Sequence, residues 1–196
     1  LRSRGFAGRE VIRSRVLRIA GAGEAVIEAK LTGLLSGTNP TLALLAHRGE
    51  VHVRITAKGK PEEVASMLNA AEREIRGRLR ELVFGVDEES LEGVVNQLLR
   101  SRGLTLAVAE SCTGGLLSHR LTNVPGSSES FLGAAVPYTK GAKVHIAGVE
   151  EGLLADVGEV SPQVTVAMAR AVRSRFGSDL GLAVTGVAGP QQVGEL

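Results

Sequence analysis

Three short segments hold the residues best suited to chemistry. The first is Glu110-Ser111-Cys112-Thr113-Gly114-Gly115. An apolar run precedes it and a helical pattern follows, so Ser111 falls where a strand turns into a helix. Backbone N–H groups at a helix start lack intrahelical partners and form the positive end of its dipole. Gly114 and Gly115 remove side chains that would block close approach. The segment suits a phosphate or a developing oxyanion, but it lacks the Lys-Ser/Thr end of a Walker loop. A simple helix cap at Ser111 or Thr113 fits the same residues.

The second segment is Tyr138-Thr139-Lys140-Gly141-Ala142-Lys143, with the only tyrosine of the chain and a lysine about one helical turn later. A serine becomes a nucleophile only beside a base, and no Ser-His-Asp set is apparent. A lysine withdrawn from water can be that base, with a tyrosine hydroxyl relaying or steadying the proton. An ordinary surface lysine satisfies the same spacing. The third segment, Thr185-Gly186-Val187-Ala188-Gly189-Pro190, again brings a hydroxyl and flexible backbone to a strand end, or is an ordinary glycine turn. Cys112 competes with Ser111 as nucleophile, although a lone half-buried thiol is more often inert. His119 and His145 lie within helical stretches and read as surface residues.

The elements that must position these segments follow from the apolar pattern. Leu104 to Ala109, Phe131 to Tyr138 and Leu180 to Thr185 read as strands. Thr113 to Thr122, Ala142 to Ala147 and Glu151 to Val157 read as helices. Ser161-Pro162 opens another, carrying Val164, Ala167, Met168, Ala171 and Val172 on one face and ended by Gly177. Alternating strands and helices imply an α/β layer with a mostly parallel sheet, in which sites collect beyond the carboxyl ends of the strands.

The first half reads as a small α+β unit. Val11 to Ile19 is strand-like and Glu24 to Leu31 helical. Thr41 to Ala46 and Val51 to Ala57 form a hairpin. Pro61 opens a helix with Val64, Leu68, Ala71, Ile75 and Leu79 on one face. This half has a KH-type shape without the Gly-x-x-Gly loop by which KH modules clamp a nucleic-acid backbone. Val83 to Asp87 reads as a boundary, and Asp87 or Ser90 as the cap of a helix through Leu91, Val94, Val95, Leu98 and Leu99.

At 196 residues, 43% hydrophobic and 22% charged, the chain has room for one or two globular domains and is not a disordered tail. No apolar run approaches the roughly 20 residues of a membrane-spanning helix, so a soluble cytoplasmic protein is expected. It starts at Leu1 without an apolar leader and reads as an internal piece of something longer or as a processed chain. A single cysteine excludes a disulfide scaffold and fits a reducing compartment. The four histidines stand at no ligand spacing with Cys112, which argues against structural zinc. Residues 1–85 carry a formal +6 and residues 86–196 a formal −4, with Arg2, Arg4, Arg9, Arg13, Arg15 and Arg18 near the start. Such a cluster suits nucleic acid or an acidic partner; a solvated strand face is the plainer reading, and aromatics at 3% offer few stacking platforms.

The segments Ala109-Glu110-Ser111-Cys112-Thr113-Gly114-Gly115-Leu116, Val124-Pro125-Gly126-Ser127-Ser128, Tyr138 with Lys143, and Val184-Thr185-Gly186-Val187-Ala188-Gly189-Pro190 together resemble the CinA (competence/damage-inducible) family. Residues 87–196 resemble its C-terminal nicotinamide mononucleotide deamidase domain, and residues 1–86 its KH-type middle domain. The resemblance implies a three-layer α/β/α domain with a mostly parallel sheet, preceded by a small α+β domain. It also implies a homodimer that needs no metal or cofactor, and an amidohydrolase converting nicotinamide mononucleotide to nicotinate mononucleotide and ammonia in pyridine nucleotide recycling. Ser111 would attack the carboxamide, Lys143 accept its proton, Tyr138 pass a proton to the leaving ammonia, and Thr185 hold the amide or position the nucleophile. Backbone around Thr113, Gly114, Gly115, Gly186, Ala188 and Gly189 would bind the oxyanion and the nucleotide. The chain departs from the family pattern at Lys140, usually Asn, at Pro137, and after Pro190, where the family has a longer glycine-rich loop and closing elements. The rival expectation is a non-catalytic module binding a nucleotide or nucleic acid, whose single-strand binding would weaken steeply with salt.

Overall fold

Apolar residues at every second position of a strand need one covered face, and the first half of the chain provides it. In the computed structural model, which describes residues 10–47 and 49–187, this half holds strands β1 (Val11–Ala20), β2 (Thr41–His47), β3 (Glu50–Gly59) and β4 (Val83–Val86). They form one antiparallel sheet in the order β2-β3-β1-β4. Helices α1 (Glu24–Leu31) and α2 (Pro61–Leu79) cover it. Leu17 and Ile19 of β1 and Val51, Val53, Ile55 and Ala57 of β3 meet Ile27 and Leu31 of α1 and Val64, Leu68, Ile75 and Leu79 of α2 in one apolar core. Each Leu, Ile or Val among them contributes about 1.5–3 kcal/mol on leaving water.

The stretch expected to be a boundary, Val83 to Asp87, instead supplies β4 to the open edge of β1. Asp87 does not cap the next helix. Its carboxylate accepts from Val16 N–H at 2.8 Å, and its own N–H donates to the Val16 carbonyl at 2.7 Å. Four residues with a glycine among them are too short to show a strand period; pairing with β1 decides their conformation.

The chain divides into two compact units, Leu1–Leu91 and Glu92–Leu196. The second contains α3 (Leu91–Ser101), β5 (Leu106–Glu110), α4 (Leu116–Thr122), β6 (Phe131–Ala135), α5 (Lys140–His145), α6 (Glu151–Val157), α7 (Pro162–Phe176) and β7 (Leu180–Val184). Its sheet is parallel, in the order β6-β5-β7. The middle strand is buried on both sides. Leu106 and Val108 face a cluster with Leu99 of α3 and Leu121 of α4. Ala107 and Ala109 face Leu154 of α6 and Val164, Met168 and Val172 of α7. Helices therefore cover both faces, as a continuous apolar strand requires. A Cβ at Gly181 would stand 2.1 Å from the Ala169 carbonyl oxygen, so only glycine lets α7 lie this close to β7.

Two element bounds differ from expectation by three residues, and others, such as the starts of β5 and α5, by two. The helix expected from Thr113 begins at Leu116, because Gly114 (φ 60°) and Gly115 (φ 101°) take the left-handed region and hold a turn open. The strand expected to reach Tyr138 stops at Ala135; Pro137 has no N–H for the ladder, and Tyr138 N–H turns back to the Val136 carbonyl at 3.0 Å.

Candidate functional site

The three segments singled out in the sequence follow the carboxyl ends of β5, β6 and β7, neighbouring parallel strands of one sheet. Between them opens a cleft of about 580 Å³ lined by Ser111, Cys112, Tyr138, Lys140, Lys143 and Glu159, with Leu154, Gly158, Val160, Gly186 and Val187.

Ser111 is delivered by the sheet itself. Its N–H donates to the Val184 carbonyl at 2.9 Å, extending the β5–β7 ladder by one residue, and its side chain is almost wholly buried while still lining the cleft. Cys112 follows on the same lining. A Cβ at position 186 would stand 3.0 Å from Cys112 Sγ, so Gly186 lets the third loop close against the thiol.

Glu110, which sequence reasoning treated only as part of a motif, holds this turn. Its carboxylate, fully buried, accepts from the N–H groups of Gly115 (3.1 Å), Leu117 (2.9 Å) and Ser118 (2.7 Å), and from the Ser118 hydroxyl. Burial pushes the carboxyl up. The Ser118 and Thr113 hydroxyls and the Ser118 and Leu117 N–H groups outweigh that and hold it below the usual carboxylate range. Beyond that carboxylate the buried Thr113 hydroxyl has no partner. A glutamate in this place does what an N-cap does, from the strand before the turn.

The N–H groups of Gly114 and Gly115 are engaged within the protein: Gly114 donates to the Ser111 carbonyl at 3.1 Å and Gly115 to Glu110. Among the described residues the N–H groups of Cys112 and Thr113 make no protein hydrogen bond. Thr113, Gly114 and Gly115 are not on the cleft lining; Cys112 and Gly186 are.

Lys143 lies on α5, whose start is capped by Thr139, the hydroxyl of which accepts from Ala142 N–H at 3.2 Å. Lys143 is 2% exposed, and its Nζ is 3.2 Å from Glu159 Oε2. No hydrogen bond joins Lys143 to Ser111, yet both line the same cleft. Lys140, one turn earlier on the same side of α5, is exposed at the rim. Tyr138 is 58% exposed at the mouth.

Thr185 is not on the lining. Its hydroxyl donates to the Glu159 carbonyl at 3.3 Å, so it braces the loop carrying Glu159 rather than facing the cleft. Sequence reasoning missed Glu159; the only signal was a glycine and an acidic residue just before the Ser161-Pro162 helix start, in a stretch with no motif. Ala188 and Gly189 lie outside the described residues.

Among the described residues no three His, Cys, Asp or Glu side chains stand close enough together to hold a metal ion, and no helix is long and apolar enough to cross a membrane. His119 and His145 are exposed on α4 and α5. Of the arginine cluster, Arg2, Arg4 and Arg9 lie outside the described residues. Arg15 is bound by Asn69 and Glu72, Arg18 by the Asp87 carbonyl, and Arg13 is exposed.

The family model for the CinA C-terminal domain matches residues 88–195, and that for the CinA KH domain matches residues 14–85. The chain belongs to the CinA family. It is 55% identical over 185 residues to a putative competence-damage inducible protein of Moorella thermoacetica, covering 94% of this chain and 45% of that protein. It is 45% identical over 183 residues to a CinA-like protein of Dictyoglomus turgidum, covering 92% and 44%. The chain thus spans less than half the length of these curated relatives. Among solved structures it is similar to a CinA superfamily protein from Escherichia coli (TM-score 0.50, 32% identity, 53% of this chain and 62% of that one). It is also similar to a competence or damage-inducible protein from Enterobacter asburiae (TM-score 0.50, 33% identity, 53% and 67%). CinA membership accounts for both units, a KH-like antiparallel one and a parallel α/β one.

Proposed function

We propose that the second unit is an amidohydrolase that converts nicotinamide mononucleotide to nicotinate mononucleotide and ammonia. The observation that carries this reading is the burial of a serine and a lysine, Ser111 and Lys143, on the lining of one cleft beyond the carboxyl ends of three parallel strands. Burying either group away from water is costly without a partner or a task.

In the proposed reaction the neutral amine of Lys143 takes the proton of Ser111 Oγ as that oxygen bonds to the carboxamide carbon. The carbonyl becomes an oxyanion. With the Gly114 and Gly115 N–H groups engaged, its donors are the backbone N–H groups of Cys112 and Gly186, both on residues of the lining. The C–N bond then breaks, the nitrogen leaving as ammonia after gaining a proton from Lys143 through Tyr138. Water cleaves the resulting ester, giving the carboxylic acid and restoring Ser111. Thr185 acts through the Glu159 loop that it braces, not on the amide itself.

The test is ammonia release by the purified protein from nicotinamide mononucleotide and from free nicotinamide. The account expects release from the mononucleotide, with free nicotinamide a far poorer substrate. No release from the mononucleotide would overturn the assignment.

A further inference from the structure

We infer that Glu159 reads the positive charge of the substrate ring, making the site selective for carboxamides carried on a cationic ring. The inference rests on the reading just given, and concerns a residue outside the three loops that suggested it.

Glu159 is the sole acidic side chain among the described residues lining the cleft, against two lysines. Its side chain is 44% exposed, while the Lys143 side chain it meets at 3.2 Å is 3% exposed. The pair is therefore lopsided: the lysine is enclosed, and the glutamate on the same lining is still open to a second partner. A cationic ring brought to Ser111 would meet the exposed, repulsive Lys140 and one carboxylate able to offset it. Tyr138, exposed on the same lining, adds an aromatic ring, a residue type that favours a cation over a neutral ring.

The same placement links binding to chemistry. Glu159 engages the amine of Lys143. A cationic ring gives that carboxylate a competing positive partner and loosens its hold on the amine that must turn to Ser111. A neutral ring gives it none. Glu159 is a positioning and specificity residue in this scheme, and Thr185 fixes the loop that presents it.

The probes are nicotinamide mononucleotide and its dihydro form, which carry the same ribose, phosphate and carboxamide but differ in ring charge. Binding is measured by titration calorimetry on the Ser111→Ala protein, where chemistry is stopped, and on Ser111→Ala combined with Glu159→Gln or Glu159→Asp. The Ser111→Ala protein is expected to bind the cationic form about fivefold more tightly, the scale of a partly exposed ion pair. Glu159→Gln should bring the ratio close to one, with circular dichroism reporting an intact fold. Glu159→Asp should restore part of the preference. Equal affinity for both forms in the Ser111→Ala protein, no binding of the cationic form, or a preference that survives Glu159→Gln overturns the inference. Failure of the deamidase reading would show separately, as no ammonia from the wild-type protein despite charge-selective binding.

Discussion

The two units are built on opposite policies toward buried polarity. Among the described residues the first encloses an apolar core of Leu, Ile, Val and Ala alone. The second buries Asn96, Glu110, Ser111, Ser130, Lys143 and Ser178. Four of these serve the fold: Asn96 donates to Ser130 Oγ at 3.2 Å, Ser178 donates to the Leu180 carbonyl at 2.8 Å, and Glu110 gathers the start of α4. The remaining two, Ser111 and Lys143, line the cleft. Lys143 pairs there with Glu159 at 3.2 Å, so its partner too belongs to the cleft and not to the apolar core. The contrast separates a unit organised by packing from one organised around a site.

The sharpest way to break this contrast is Lys143→Met, which keeps a long apolar stem and removes the amine. Turnover of nicotinamide mononucleotide should fall by about 10²–10⁴, the range for loss of a general base, with little change in melting temperature. Unchanged turnover would return Lys143 to a structural role. Next in size is Ile55→Ala in the first unit's core, expected to cost about 2–5 kcal/mol in denaturant unfolding of that unit. A loss below 1 kcal/mol would show that apolar packing does not hold it.

Glu110→Gln tests whether the buried carboxylate supports the site as a charge. It should cost about 1–3 kcal/mol, because four donors lose an ionised acceptor. The carboxyl is held below its unfolded range, so its contribution is complete above that range and disappears as pH falls through the lowered value. Urea midpoints followed from pH 6 downward should show an acid loss in the wild type that is smaller in the variant. Parallel curves would refute it. The smallest effect belongs to Lys140→Asn, an exposed position where turnover should change by no more than about twofold; a loss equal to that of Lys143→Met would mean the wrong lysine carries the base role.

Much of this was legible in the sequence because the signals were local. The period of α2, the Ser161-Pro162 start and Gly177 end of α7, and the apolar run of β5 all report short-range preferences, and each forms as expected. What escaped depends on distant partners. β4 exists because β1 has an open edge. The role of Glu110 arises from three N–H groups five to eight residues ahead. Glu159 meets Lys143 across a cleft formed only when α5 and the α6–α7 loop pack on the same sheet. The start of α4 was misplaced for a related reason: a hydroxyl before a helix looks like a cap, and here a glutamate from the preceding strand takes that task.

The decisive measurement compares two neighbours on the cleft lining, both able to act as nucleophiles. Ser111→Ala and Cys112→Ala are assayed side by side for ammonia release from nicotinamide mononucleotide, with circular dichroism confirming that each folds. The account predicts that Ser111→Ala is inactive and that Cys112→Ala retains most of its turnover. An active Ser111→Ala protein, above all beside an inactive Cys112→Ala one, would contradict it.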